Sequence, residues 1–151
     1  MSIETPSFHQ YYAKTYRVDA TADGGLTGHL LNLETGAFDQ DDSRITEVLR
    51  AGSSSDISRL DEAEFIVETE RARSWQLTGD GPIFALYDDI EALHELAKQE
   101  RRAFTAPERA RLAELRNRTF TLWEEEFARR AVGQAPTFDY RPRFPRAEGG
   151  T

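Results

Sequence analysis

The side chains best placed for chemistry are Glu91 and His94, which lie three residues apart in a segment with helical periodicity. A carboxylate and an imidazole at this spacing face the same side of a helix, as they do in di-iron carboxylate bundles. Such a site needs two of these pairs and two further glutamates, whereas the chain contains one pair. A homodimer could supply the second pair of glutamate and histidine by symmetry. We therefore expect His94 to lie at the boundary of the core, and we expect neither a metal nor another cofactor.

The other patterns that could do chemistry are incomplete. Residues 39–43 begin like a calcium-binding loop, but Arg44 occupies the position that requires glycine and Arg50 the position of the bidentate glutamate. We interpret these oxygens as helix caps. The chain has no cysteine, no G-x-S-x-G sequence and no phosphate-binding loop. We therefore assign no catalytic residue and favour a non-catalytic role over that of an enzyme.

The charge distribution argues against direct binding to nucleic acids. The net charge is −8, and residues 39–70 carry ten acidic and three basic side chains. Non-specific affinity for nucleic acids comes from neutralising phosphates, which an acidic surface does not do. Only two of the 19 basic residues are lysine, a bias that a GC-rich coding sequence or a salt-rich cytoplasm explains. One alternative is an acidic inhibitor that mimics nucleic acid.

Nothing in the sequence predicts export or membrane insertion. Residues 1–6 lack a basic start and an apolar run, and no stretch of 18 consecutive apolar residues occurs. The absence of cysteine also excludes a disulfide framework. We therefore expect a cytoplasmic protein that does not contact the membrane.

The N-terminal half is predicted to contain a small antiparallel sheet. Residues 11–20 and 26–33 mix Tyr, Thr, Val and Leu with polar side chains, and residues 23–25 supply a turn, as in a β-hairpin or two adjacent strands. A short helix from about Ser43 to Ala51 and a loop at residues 52–55 should follow.

Residues 56–78 allow two interpretations. The acidic side chains of Asp61, Glu62 and Glu64 could start a helix, whereas residues 65–67 and 75–77 resemble strand cores. We favour strands, with residues 71–73 as the turn between them.

The C-terminal half is predicted to contain two long antiparallel helices. Apolar residues recur at helical spacing from Ile83 to Phe104, and Thr105, Pro107 and Glu108 form a strong signal for the start of a second helix. Gly133 should end that helix. Its expected buried face is Leu112, Leu115, Phe120, Trp123, Phe127 and Ala131. The predicted fold class is α+β, with the antiparallel sheet packed against this helical hairpin.

The tail combines prolines, arginines and aromatic residues. We predict a single domain over residues 1–133 and an extended tail over residues 134–151. Aromatic rings are unfavourable in water, so the tail should either pack on its own acidic domain or dock on a partner subunit. The side chains predicted to bind a protein are Phe138, Tyr140, Arg141, Arg143 and Phe144.

These observations favour a non-catalytic binding or assembly protein, such as a subunit, adaptor or inhibitor. It would act through the helical hairpin and the tail, on a protein partner or on a second copy of itself. The alternative from another class is a small metal-dependent or acid/base enzyme that uses Glu91 and His94.

Overall fold

The computed structural model describes residues 4–51 and 56–145. The chain divides into two compact units, an N-terminal unit (Met1–Arg73) and a C-terminal unit (Ser74–Thr151). The predicted loop at residues 52–55 and the end of the predicted tail, including Arg146, lie outside the described residues. The division at residue 133 stays a prediction. No helix in the described part of the chain is long and apolar enough to cross a lipid bilayer.

The N-terminal unit contains a five-stranded antiparallel sheet, which confirms the α+β class. Across the sheet the strand order is β4-β3-β2-β1-β5. In chain order the strands are β1 (Ser7–Tyr11), β2 (Lys14–Ala20), β3 (Leu26–Leu31), β4 (Phe38–Gln40) and β5 (Ile57–Leu60). The predicted pairing of residues 11–20 with residues 26–33 is observed as the β2–β3 pair.

One face of this sheet packs on a short helix, α1 (Ile45–Arg50), which follows a 3₁₀ turn (Asp42–Arg44). The core on this side is formed by Tyr16, Val18, Val48 and Ile57. The short helix predicted at about residues 43–51 is therefore present. Asp41 caps the 3₁₀ turn, accepting a hydrogen bond from the Ser43 amide at 3.0 Å. Among the calcium-loop-like residues, Asp41 therefore serves as the predicted cap, whereas Asp39 accepts a hydrogen bond from the Asn32 side chain and Asp42 accepts one from the Gly28 amide.

The opposite face packs on a second helix, α2 (Glu62–Gln76), where we had predicted strands. Asp61 and Glu64 form a reciprocal cap, since each side chain accepts a hydrogen bond from the other's backbone amide. Phe65 then packs between the rings of Phe8 and Phe38, at centroid distances of 4.7 and 5.4 Å. The predicted strand at residues 65–67 and the predicted turn at residues 71–73 were therefore wrong. The cap and the burial of one face of the helix stabilise α2 more than the local β-propensity of these residues would stabilise a strand.

The C-terminal unit is built on α3 (Pro82–Gln99) and α4 (Ala106–Ala131). Thr105 and Glu108 form the expected capping box. The helices are antiparallel, because Tyr87 near the start of α3 meets Trp123 late in α4. Two short strands complete this unit, β6 (Leu77–Gly79) and β7 (Tyr140–Pro142).

The buried face of α4 differs from the predicted one in its polar content. Trp123 is completely buried, as expected, but Thr119 and Glu126 are equally buried, while Ala131 is exposed. Phe104, expected on α3, lies after the helix ends and packs against His94 with ring centroids 5.0 Å apart. Burial of a carboxylate requires partners, and the tail provides some of them.

Candidate protein-binding site

The tail is fastened to α4 by the carboxylate of Glu126. Its two oxygens accept hydrogen bonds from the hydroxyl and the backbone amide of Thr137, at 2.6 and 3.0 Å. Arg129 and Arg130 donate to the same carboxylate at 2.6 and 2.7 Å. Burial alone would raise the pKa of Glu126, but the hydrogen bonds from Thr137 and both arginines hold it at about 2. The ionised carboxylate therefore fixes the start of the tail.

Beyond this point the tail enters the core of the C-terminal unit. The rings of Phe138 and Tyr140 form T-shaped pairs with Trp123, with centroid distances of 5.5 and 4.9 Å. Arg130 donates to the Phe138 carbonyl at 2.9 Å and lies over both tail rings. These two predicted binding residues are half-buried and help to hold the tail in place.

The strand β7 lies unusually close to β6, and glycine makes this approach feasible. A Cβ atom at Gly79 would stand 2.5 Å from the carbonyl oxygen of Asp139 and 2.8 Å from the Cα of Tyr140. Both are backbone atoms that cannot rotate away. Gly79 is therefore needed for the β6–β7 pair, which carries the tail along the unit.

Arg143 joins the tail to the end of α2. Its backbone amide donates to the Gln76 carbonyl at 2.6 Å, and its Nε donates to the Trp75 carbonyl at 3.0 Å. The carbonyl groups at a helix C-terminus lack partners within the helix and attract cations. Arg143 thus caps the C-terminus of α2, because its guanidinium group donates a hydrogen bond to a carbonyl at the end of this helix.

This cap leaves two large aromatic rings together at the surface. Phe144 packs against Trp75 with centroids 5.4 Å apart, yet 54% of Phe144 and 63% of Trp75 are exposed. We call these two side chains the Trp75–Phe144 pair. Burying apolar surface is favourable by about 25 cal/mol per Å², so covering the pair with a partner would be favourable.

The sequence identified one member of the pair and missed the other. Phe144 was among the predicted binding residues, whereas Trp75 was interpreted as part of a strand. Recognising the cap formed by Asp61 and Glu64 would have put residues 62–76 in a helix. In such a helix Phe65, Thr69 and Arg73 lie on the same inward face, and Trp75 lies on another side of the helix.

The five predicted binding residues therefore occupy different environments. Phe138 and Tyr140 pack with Trp123 and are half-buried, whereas Arg141, Arg143 and Phe144 are exposed, Arg143 while it caps α2. These three exposed residues have surface available for contact with a partner.

The pair Glu91 and His94 lies on α3, with Glu91 exposed and His94 half-buried. Arg116 of α4 donates from Nη2 to His94 Nε2 at 3.3 Å. This guanidinium occupies one of the two ring nitrogens with which histidine could bind a metal. Among residues 4–51 and 56–145, no three His, Asp or Glu side chains are grouped so that they could hold a metal ion.

Comparison of the chain with protein-family models, curated proteins and solved structures finds no match. The functional argument therefore depends on the residues and their geometry.

Proposed function

We propose that this protein is a non-catalytic binding or assembly protein that recognises a partner protein through its tail and the adjoining helical hairpin. It would serve as a subunit, adaptor or inhibitor, in the cytoplasm, a setting that suits a chain without cysteine. The observation that carries the proposal is the exposed Trp75–Phe144 pair.

Two properties of the pair suit it to binding. Aromatic side chains, tryptophan above all, dominate the energetics of protein interfaces because they bury a large area with few rotatable bonds. The pair is also held in advance, since Arg143 fixes the backbone beside Phe144 through its contacts with α2. A preformed surface loses less conformational entropy when a partner binds.

The charge around the pair indicates the character of the partner surface. Arg141 is exposed two residues from Arg143, so a partner with an apolar centre and an acidic rim would be complementary. A second copy of this chain, whose net charge is −8, could provide the acidic rim. Self-association is therefore one form of the proposed function.

The test compares two variants of the pair with a matched control. Phe144→Ser and Trp75→Ser each remove one exposed ring of the pair, whereas Tyr12→Ser removes a ring that is 55% exposed in the N-terminal unit, outside the tail and the helical hairpin. Each purified protein is examined by analytical ultracentrifugation and used for affinity capture from the native source. Loss of a dimer or of a captured protein in both variants of the pair, with retention in Tyr12→Ser, supports the proposal.

The contrary result is also defined. If the unaltered chain is monomeric and captures no protein above background, or if the Tyr12→Ser variant loses binding as much as Phe144→Ser and Trp75→Ser do, the pair is not a docking surface. Circular dichroism of the variants shows whether the fold survives, as expected for substitutions at exposed positions.

A further inference from the structure

The helical hairpin of α3 and α4 has two flanks, and the tail covers one of them. Phe84 of α3 packs against Phe138 of the tail, with ring centroids 6.2 Å apart. Leu86 comes two residues later in the same helix. Because each residue turns a helix by about 100°, Leu86 points away from the flank on which the tail packs. The Leu86 side of the hairpin is therefore the flank opposite the tail.

A groove runs along this opposite flank, between α3 and α4. It has a volume of about 430 Å³, and Leu86 of α3 and Leu115 of α4 form its apolar part. Leu93 and Leu96 follow Leu86 at seven and ten residues, a spacing that keeps side chains on one side of a helix. Leu86 and Leu93 are half-buried, and 41% of Leu96 is exposed. We call Leu86, Leu93, Leu96 and Leu115 the leucine flank.

The charged side chains beside these leucines differ in sign between the two helices. On α3, Asp89 follows Leu86 by three residues and lies on the same side of the helix. On α4 the groove is lined by Arg111, Glu114 and Arg118, and the first two pair with each other at 2.8 Å. Neither Asp89 nor Arg118 forms an ion pair with a described residue. The flank therefore presents an acid on α3 and a base on α4 that are both available to a partner.

We propose that the leucine flank binds a second copy of this chain, so that two hairpins form a four-helix bundle. The leucines of the two copies then cover one another, which removes apolar surface from water. In a twofold dimer the neighbour of α3 across the interface is either α4 or α3 of the other copy. The second arrangement sets two acidic helices side by side, since α3 carries four carboxylates and one lysine. The first sets α3 against the groove-lining arginines of α4, and charge complementarity therefore selects it.

The heights of the two charges along the hairpin agree with this arrangement. Arg116 lies level with His94, to which it donates a hydrogen bond, and the helices run antiparallel. Arg118 is therefore level with residue 92 of α3, three residues or about 4.5 Å from Asp89 along the axis. A twofold axis parallel to the helices preserves these heights. Asp89 of each copy then comes within one helical turn of Arg118 of the other copy, a difference that an arginine side chain can span.

The size of the flank sets the expected strength of the dimer. An α-helix rises about 1.5 Å per residue and is about 10 Å wide, and α3 has 18 residues. The flank is therefore about 27 Å long and about 20 Å wide, which is at the small end for a specific interface. We expect a dissociation constant on the order of 1–100 μM. The leucine flank does not include the Trp75–Phe144 pair, so this dimer does not depend on the proposed function.

Sedimentation velocity of the full chain, at concentrations from about 1 to about 300 μM, measures this dimer. Leu96→Asp places a charge in the flank at a site that is 41% exposed. The control Leu49→Asp makes the same change at a leucine that is 37% exposed near the end of α1, in the N-terminal unit. We expect Leu96→Asp to weaken the dimer at least about tenfold and Leu49→Asp less than about twofold.

A reciprocal change of charge tests the pairing itself. Asp89→Arg and Arg118→Asp each set like charges against one another across the interface, at two equivalent contacts per dimer, and should each weaken it by about fivefold. The double variant restores opposite charges and should return the dissociation constant to within about twofold of the original. Damage to the fold would not be reversed in this way, so the test remains decisive if Leu96→Asp fails to fold.

Three results overturn the proposal: a monomer at every concentration, an equal loss in Leu96→Asp and Leu49→Asp, or single charge variants that their combination does not restore. Trp75→Ser separates this dimer from the proposed function, since the hairpin dimer persists in that variant. A dimer that is lost in Trp75→Ser and kept in Leu96→Asp assigns self-association to the Trp75–Phe144 pair and also overturns the hairpin interface.

Discussion

The carboxylate of Glu126 on α4 lies within hydrogen-bond distance of both the hydroxyl and the backbone amide of Thr137, the residue at which the tail begins to pack. Glu126 is completely buried, unlike the exposed Glu125 beside it. This contact holds the start of the tail against α4.

Replacing Glu126 with glutamine should loosen the tail. The amide nitrogen of glutamine would present donors to Arg129, Arg130 or Thr137, which already donate to this position. We expect a loss of about 2 kcal/mol in the free energy of unfolding, since hydrogen bonds to charged groups are worth about 1.5–3 kcal/mol. Urea denaturation measures this loss, and hydrogen exchange should show faster exchange at the amides of Arg141 and Arg143.

The neighbouring Glu125→Gln substitution is the control for that prediction. It removes the same charge one residue away at an exposed position, and its effect should stay within about 0.5 kcal/mol. An equal effect of the two substitutions would mean that the buried hydrogen bonds do not hold the tail.

Trp123→Ala should be the more damaging of two truncations on α4. Trp123 is completely buried and donates from Nε1 to the Tyr87 hydroxyl at 2.7 Å. Its removal should lower the free energy of unfolding by about 3–5 kcal/mol. Phe127 stacks on Trp123 at 5.4 Å but is half-buried, so Phe127→Ala should cost less. Losses below about 1 kcal/mol at both positions in urea titrations would show that this face of α4 is surface.

The helices and strands were predicted correctly where the residues that determine them lie close together in the sequence. The capping box of Thr105 and Glu108 spans four residues, so the start of α4 was predicted correctly. In residues 62–76 two local signals compete, and the β-branched and aromatic residues outweighed the cap in our interpretation. The packing of Phe65 between Phe8 and Phe38 favours the helix, but those rings are distant in sequence.

The candidate site was less predictable because its contacts join distant parts of the chain. Glu124, Glu125 and Glu126 are chemically identical; only Glu126 continues the helical spacing of Thr119 and Trp123 on the buried face of α4, and its partner Thr137 comes from the returning tail. Phe144 stood out as an apolar ring among prolines and arginines. Its neighbour Trp75 carried no such signal, since their contact forms only when Arg143 reaches the end of α2.

The His94→Gln variant should retain whatever trace metal content the unaltered protein has. Nε2 of His94 accepts a hydrogen bond from the cationic Arg116, and a metal ion at this nitrogen would have to displace that guanidinium. Elemental analysis of the two purified proteins provides the test. Stoichiometric iron, manganese or zinc that disappears in the variant would favour an enzyme that uses Glu91 and His94.

Stability of the N-terminal unit should fall as the pH is lowered from about 6.5 to about 4. Burial, aided by the positive charge of Arg59, lowers the pKa of His9 from 6.5 to about 4. The unfolded chain therefore binds a proton in this interval that the folded chain does not. The contribution is fully present above pH 6.5 and falls by roughly 3 kcal/mol as the pH reaches 4. Urea denaturation at several pH values measures it.

The His9→Gln variant should show a flatter pH dependence than the unaltered chain. Glu126 does not interfere above about pH 4.5. Its folded pKa of about 2 lies below the ordinary value of 4.5, so its contribution is lost only as the pH falls further. An unchanged slope in His9→Gln would assign the effect to another group.

Gly79→Ala should separate β7 from β6 while leaving α3 and α4 folded. The added methyl group would stand 2.5 Å from the Asp139 carbonyl oxygen and 2.8 Å from the Tyr140 Cα. Since these atoms belong to the backbone, relief requires the strand to move. We expect faster hydrogen exchange at the amides of Arg141 and Arg143. We also expect a change in tryptophan fluorescence, because Trp75 packs against Phe144 and Trp123 against Tyr140.

The control for this last prediction is Thr78→Ala in the middle of β6, which shortens a side chain and introduces no new atom near the tail. It should change strand stability by less than about 1 kcal/mol and leave the exchange of the Arg141 and Arg143 amides slow. If the Trp75–Phe144 pair is the docking surface, Gly79→Ala should also weaken partner binding or self-association, because Phe144 is no longer held beside Trp75. Displacement of β7 without any loss of a measured association would mean that the pair takes no part in binding.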